Sequence, residues 1–141
     1  MGTMHWEFPV TGGNFSGAGE AASKIKNILK KLGIAYEVIR RVSIASYEAE
    51  MNITAYADEG MLLVDIDPLE INITASDRGP GIPDIDKAMQ EGFSTATPAI
   101  REMGFGAGMG LPNIQRATDW MVIDSTVGKG TEIKFKIFLK T

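Results

Sequence analysis

Leu69-Glu70-Ile71-Asn72-Ile73-Thr74-Ala75-Ser76-Asp77-Arg78-Gly79-Pro80-Gly81 holds the change of character on which the fold turns. Leu69, Ile71, Ile73 and Ala75 alternate with Glu70, Asn72 and Thr74. That is the period-two pattern of a strand with one covered face. The strand gives way to Asp77-Arg78-Gly79-Pro80-Gly81-Ile82-Pro83, where proline and glycine forbid a continuing ladder. Upstream, Met61–Asp67 reads as a partner strand joined at Asp67-Pro68. Before it the period is helical. One helix is predicted over about Ala35–Ala57, with a stripe of Val38, Val42, Ala45, Ala49, Ile53 and Tyr56. Another is predicted over about Ala18–Leu32, with Lys30 and Lys31 in its last turn and Gly33 as its stop. Residues 4–10 form a first strand, which Pro9 assigns to a sheet edge.

Downstream, Asp84–Gln90 reads as a short helix. Residues 92–108 lack periodicity, a length usual for a lid or binding loop. A helix opens after Gly110, with Pro112 in its first turn. Met121–Ser125 and Thr131–Leu139 close the chain as a hairpin, with Gly128-Lys129-Gly130 as its turn. This order is not the βαβ alternation of a doubly wound fold. It predicts an α/β (α+β) two-layer sandwich, with helices on one face of a mixed, mostly antiparallel sheet. The whole chain, 1–141, is expected to be one domain.

Composition narrows the function. There are 14 Lys+Arg against 18 Asp+Glu, a formal net charge of −4, which argues against nucleic-acid binding. The chain has no cysteine and one histidine, His5. A disulfide framework, thiol catalysis and a multi-His metal site are therefore excluded. No apolar run is long enough to span a membrane, and no basic-then-apolar signal pattern opens the chain, so the expected location is the cytoplasm. Seven of the 16 glycines lie between Gly79 and Gly110, which directs the search for chemistry to that region.

Four constellations stand out. Glu48 and Asn52 fall one turn apart on the second helix, on the side of its apolar stripe. They are either a polar pair satisfied between packed helices or a carboxylate and an amide oxygen facing a cleft. In the second case the amide suits Mg²⁺ and the carboxylate a general base. Asp77-Arg78-Gly79-Pro80-Gly81 is either a plain turn or an adenine site. In that site the carboxylate accepts a hydrogen bond from the exocyclic amine and the glycines admit the ring. Gly104-Phe105-Gly106-Ala107-Gly108-Met109-Gly110 ahead of a helix can cradle phosphates on backbone N–H groups. It is neither a Rossmann nor a Walker loop. Gly130-Thr131 taken alone is a turn followed by a strand residue.

In combination, Glu48-x-x-x-Asn52, Asp77-x-Gly79-x-Gly81, the glycine-rich loop and Gly130-Thr131 resemble the ordered boxes of the GHKL, or Bergerat-fold (histidine kinase-like), ATPases. The resemblance covers about Ile34 to Phe138. Within that superfamily the chain is similar to the bacterial anti-sigma-factor serine kinases, above all to the stressosome switch kinases. Asp77–Pro83 with Ile85, Met89, Gly92, Phe93, Ser94 and Thr95 carries that likeness, as does Tyr56.

The resemblance implies an ATP-dependent serine/threonine protein kinase that uses Mg²⁺. It implies that Glu48 is the catalytic base and Asn52 the magnesium ligand. Asp77 would bind adenine, with Gly79, Gly81 and Thr131 shaping or supporting that pocket. Gly106, Gly108 and Gly110 would hold the phosphates, and residues 92–107 would be an ATP lid. The implied phosphoacceptor is a STAS-domain antagonist in a sigma-factor partner-switching pathway, with a sigma factor or a PP2C-type phosphatase as a further partner. The alternative is a nucleotide-dependent anti-sigma factor or switch module with little phosphotransfer. A homodimer stays open. No acceptor-histidine helix pair precedes the boxes, which argues against an intact sensor histidine kinase.

Overall fold

The alternation around Ile71 and Ile73 builds the middle of a five-stranded sheet. A computed structural model describes residues 2–90 and 110–139 of the chain. In chain order the elements are β1 (Met4–Thr11), a 3₁₀ turn (Phe15–Gly17), α1 (Glu20–Lys31), α2 (Tyr36–Tyr56), β2 (Glu59–Ile66) and β3 (Glu70–Arg78). They continue with α3 (Ile85–Ala88), α4 (Gly110–Ala117), β4 (Trp120–Thr126) and β5 (Gly130–Phe138). The strands lie in the order β1-β2-β3-β5-β4. Every neighbouring pair among them is antiparallel, so the mostly antiparallel sheet expected from the sequence is antiparallel throughout the described residues.

One face of the sheet is apolar and covered. Leu62, Val64 and Ile66 of β2, Ile71 and Ile73 of β3, and Ile133, Phe135 and Ile137 of β5 are buried there. Against them pack Ile25 and Leu29 of α1, Val42, Ala45, Ala49 and Ile53 of α2, and Leu111 and Ile114 of α4. Burying each large aliphatic side chain stabilises the fold by about 1.5–3 kcal/mol. The other face carries the polar half of each alternation, including the ion pair of Lys136 with Glu70. Pro9 does lie on an edge strand, paired with Met61 of β2.

Because β4 lies outside β5, the β4–β5 turn returns beside the end of β3. Ser76 pairs with Glu132, and Ser125 pairs with Thr131. That topology places Asp77, Ser125 and Thr131 at one corner of the sheet. No helix among the described residues is long and apolar enough to cross a membrane.

Candidate nucleotide site

Asp77 is the last but one residue of β3 and has its side chain on the helix-covered face. Its Oδ1 accepts the backbone N–H of Thr131 at 3.1 Å. Burial pushes the Asp77 carboxyl above its ordinary range, against the opposing pull of the Thr131 N–H bond. A half-buried carboxylate with only part of its accepting capacity used is suited to a donor from outside the protein.

Glycine sets the backbone of this corner. Gly130 has φ +153°, and a Cβ there would lie 2.0 Å from the Asp77 carbonyl oxygen. Gly81 has φ +77°, and its Cβ would lie 2.5 Å from the Thr126 carbonyl oxygen. Gly79 fits against the end of α2, where a Cβ would come 3.0 Å from Ala57 Cα. From the sequence, Gly79 and Gly81 are expected to admit and shape a pocket for the ring. In the structure a Cβ at either glycine would press on neighbouring backbone, and one at Gly79 would also lie 3.3 Å from Asp77 Oδ1, so both keep the loop close beside Asp77. The Pro80 carbonyl accepts the N–H of Gly128 at 2.9 Å, tying that loop to the β4–β5 turn.

Thr131 is buried at 7% exposure. Its hydroxyl lies 2.8 Å from Ser125 Oγ, and Ser125 Oγ also accepts the Ile82 N–H at 2.7 Å. Ser125 was not singled out in the sequence. Its place depends on cross-strand register, which a lone serine in a short strand does not advertise.

The second group of residues lies along α2. Glu48 and Asn52 are half-buried rather than sunk in the core. Glu48 Oε1 accepts a hydrogen bond from Asn113 Nδ2 at 3.2 Å, and Asn113 Oδ1 accepts one from Arg116 Nη2 at 2.7 Å. A Cβ built on Gly110 would lie 3.4 Å from Glu48 Oε2. The first turn of α4, where the glycine-rich segment enters the helix, is therefore in contact with the Glu48 carboxylate. Asn113 is a site neighbour that spacing did not reveal. Gly106, Gly108 and the segment 92–107 lie outside the described residues.

The fully buried carboxylate of α2 is Glu50, at 2% exposure. It accepts N–H groups from Gly19 at 3.0 Å, Ala21 at 3.2 Å and Ala22 at 2.8 Å, and so caps α1. Its role is set by the packing of α1 on α2 and not by spacing along α2. A hint was available, since Gly19 ahead of α1 has no side chain to cap the helix itself.

Helix α2 connects the two groups. Glu48 and Asn52 lie along it, and Ala57 at its end touches Gly79 beside Asp77. From Glu48 to Ala57 the helix advances about 13 Å. The donor set also has the right chemistry for a hard cation beside phosphates: an amide oxygen at Asn52, one turn from a carboxylate.

Comparison with known proteins identifies the family. The chain is 37% identical over 113 residues to the serine/threonine-protein kinase RsbT of Bacillus subtilis (strain 168), covering 77% of this chain and 79% of that protein. It is 33% identical over 108 residues to an anti-sigma F factor of Caldanaerobacter subterraneus subsp. tengcongensis, covering 73% and 72% respectively. An anti-sigma F factor of Thermoanaerobacter sp. (strain X514) is 39% identical over 70 residues, 50% of this chain and 46% of that one. Residues 26–141 match the family described as histidine kinase-, DNA gyrase B-, and HSP90-like ATPase. With most of its length matched and its motifs gathered on α2, β3, α4 and β5, the chain belongs to that ATPase family.

Proposed function

We propose that this chain is an ATP-dependent protein serine/threonine kinase that acts in the cytoplasm on a STAS-domain antagonist in a sigma-factor partner-switching pathway. The observation that carries the reading is the hydrogen bond that the Glu48 carboxylate accepts from Asn113 in the first turn of α4, three residues after Gly110. It sets a base against the end of the glycine-rich segment, where transferable phosphate is expected to lie.

In this reading Asp77 accepts a hydrogen bond from the adenine amine, supported through the Thr131 N–H. In the same reading the triphosphate runs from that corner along α2 toward Glu48. Gly110, with Gly106 and Gly108 before it, cradles the phosphates. Asn52 holds Mg²⁺, which offsets phosphate charge when bound. Glu48 takes the proton of the acceptor hydroxyl as its oxygen bonds to the γ-phosphorus. The bond from that phosphorus to the bridging oxygen breaks, and its electron pair leaves with ADP.

The matches to anti-sigma F factors favour a second reading, in which nucleotide-dependent capture of a sigma factor or a PP2C-type phosphatase is the main output. One experiment separates the two. Radiolabelled ATP, Mg²⁺ and a purified STAS-domain protein are mixed with the chain and with Glu48→Gln. The kinase reading expects labelled STAS protein and a loss of about 10²-fold or more in Glu48→Gln, with ATP binding kept. Equal labelling by both proteins would remove Glu48 as the base. Stable capture of a sigma factor without any labelling would favour the second reading.

A further inference from the structure

Ser125 touches no part of the expected nucleotide in the reading above, yet three groups converge on its hydroxyl. Ile82 N–H donates to Oγ at 2.7 Å, the Gly130 carbonyl oxygen lies at 3.2 Å, and Thr131 Oγ1 lies at 2.8 Å. A serine hydroxyl has one proton and two lone pairs. The Ile82 N–H occupies one lone pair. The Gly130 carbonyl can only accept, so it takes the serine proton. The remaining lone pair then receives the Thr131 hydroxyl proton. The opposite assignment sets the Gly130 and Ser125 oxygens against each other with no proton between them. Beside the buried Thr131, in a partly buried site, that arrangement is unfavourable.

Thr131 therefore has its proton committed to Ser125, and its oxygen is left only with lone pairs. Its backbone N–H is already committed to Asp77. We propose that Ser125 is a specificity-determining residue: by fixing the direction of the Thr131 hydroxyl it makes that corner accept hydrogen bonds only, beside the Asp77 carboxylate. Such a corner matches a base that presents an amine there and disfavours one that presents a carbonyl in the same pose. Ser125 acts through Thr131 and is a positioning residue, not a contact to the base. The inference rests on the proposed adenine site at Asp77.

The test measures ATP and inosine triphosphate binding by calorimetry, since hypoxanthine replaces the amine with a carbonyl. Unaltered protein is expected to prefer ATP. In Ser125→Ala the Thr131 hydroxyl is released to donate toward the carbonyl, and the ATP-to-ITP ratio should narrow about tenfold. Ser125→Thr, which keeps the hydroxyl, should preserve the ratio. Ser125→Cys, with a weak acceptor of similar size, should narrow it in smaller degree and serves if the alanine variant does not fold. A purely structural serine would weaken both nucleotides equally and leave the ratio alone; that result overturns the proposal. Asp77→Asn in the same assay separates the two levels. If it collapses the ratio while the Ser125 variants do not, the role of Ser125 is wrong and the adenine site stands. A ratio near one in the unaltered protein overturns both.

Discussion

Glu48 and Glu50, two residues apart on α2, face opposite surroundings. Glu50 is sealed at 2% exposure with three backbone N–H groups of the α1 start directed at it. Glu48 is half-buried and held by the Asn113 side chain at 3.2 Å. The first is a structural cap; the second is available for chemistry. Glu50→Ala strands the N–H groups of Gly19, Ala21 and Ala22 in a buried position and should lower stability by about 3 kcal/mol. For a chain of this size that is a fall in Tm on the order of 10 °C. Glu48→Gln should shift stability by no more than about 0.5 kcal/mol. Thermal melts of the two variants check this contrast, and similar Tm values for both would contradict it.

Asp77 has a different relation to stability. Burial raises its carboxyl above the ordinary value of 3.8, so the folded state binds that proton more tightly than the unfolded chain. Its ionised form is therefore a cost to folding, fully present above the folded pKa and gone once the pH falls below 3.8. Asp77→Asn keeps an oxygen to accept the Thr131 N–H and removes that cost. The variant should melt at or above the temperature of the unaltered protein at pH 7.5, and the difference should close as the pH is lowered toward 4. Its ATP affinity should nevertheless fall, as expected of a residue kept for binding at the expense of folding. A variant clearly less stable at pH 7.5 would show that the carboxylate serves the fold.

The sheet was legible because its strands alternate cleanly, and the helices because their stripes keep 3–4 spacing. Clean alternation also points to antiparallel pairing, because strands of a parallel sheet covered on both faces read as continuous apolar runs, and the described pairs are all antiparallel. β3 runs on to Arg78, although the alternation fades after Ala75, because its ladder with β2 continues through Gly60–Asp77 and Glu59–Arg78. Asp77, Gly79, Gly81 and Gly130-Thr131 stand out only in combination and in order along the chain, since aspartate and glycine at a strand end are ordinary turn residues taken alone. Ser125, Asn113 and Glu50 do not stand out. Each owes its position to another element: the β4–β5 register, the α2–α4 packing and the α1–α2 packing respectively.

Gly130 and Gly128 both have positive φ in the β4–β5 turn but differ in what surrounds them. A Cβ on Gly128 meets nothing within 4 Å, whereas one on Gly130 would lie 2.0 Å from the Asp77 carbonyl oxygen. Gly128→Ala should cost only the backbone strain of its φ of +81°, about 1–2 kcal/mol. Gly130→Ala must push β5 away from the end of β3. It should cost more than Gly128→Ala and weaken ATP binding as well, because Asp77 and Thr131 are displaced from each other. Denaturant unfolding gives the first comparison and calorimetry the second. Equal effects of the two substitutions on both readouts would mean that the β3–β5 corner tolerates being opened.

Asn52 gives the sharpest separation between holding the metal and holding the nucleotide. It lies one turn beyond Glu48 on α2 and is half-buried, so its amide is neither a core element nor a freely solvated group. Mg²⁺ prefers oxygen ligands, keeps most of its waters and takes few protein ligands when phosphates are present. One amide oxygen is therefore enough to matter, and its loss should appear only when the metal is present. Asn52→Ala should leave Tm within about 2 °C, since it removes no buried apolar group. It should bind ATP in EDTA as the unaltered protein does. With Mg²⁺, the unaltered protein should gain affinity and the variant should fall short of it by about tenfold, equivalent to ~1.4 kcal/mol. Asn52→Asp supplies a harder, charged oxygen at the same place and should recover metal dependence, with Mn²⁺ accepted alongside Mg²⁺. Calorimetric titrations of ATP with EDTA, Mg²⁺ or Mn²⁺ measure all of these. An equal loss of affinity in EDTA and in Mg²⁺ would move Asn52 from the metal to the nucleotide itself, and no loss in either would leave the metal to the phosphates and a different residue.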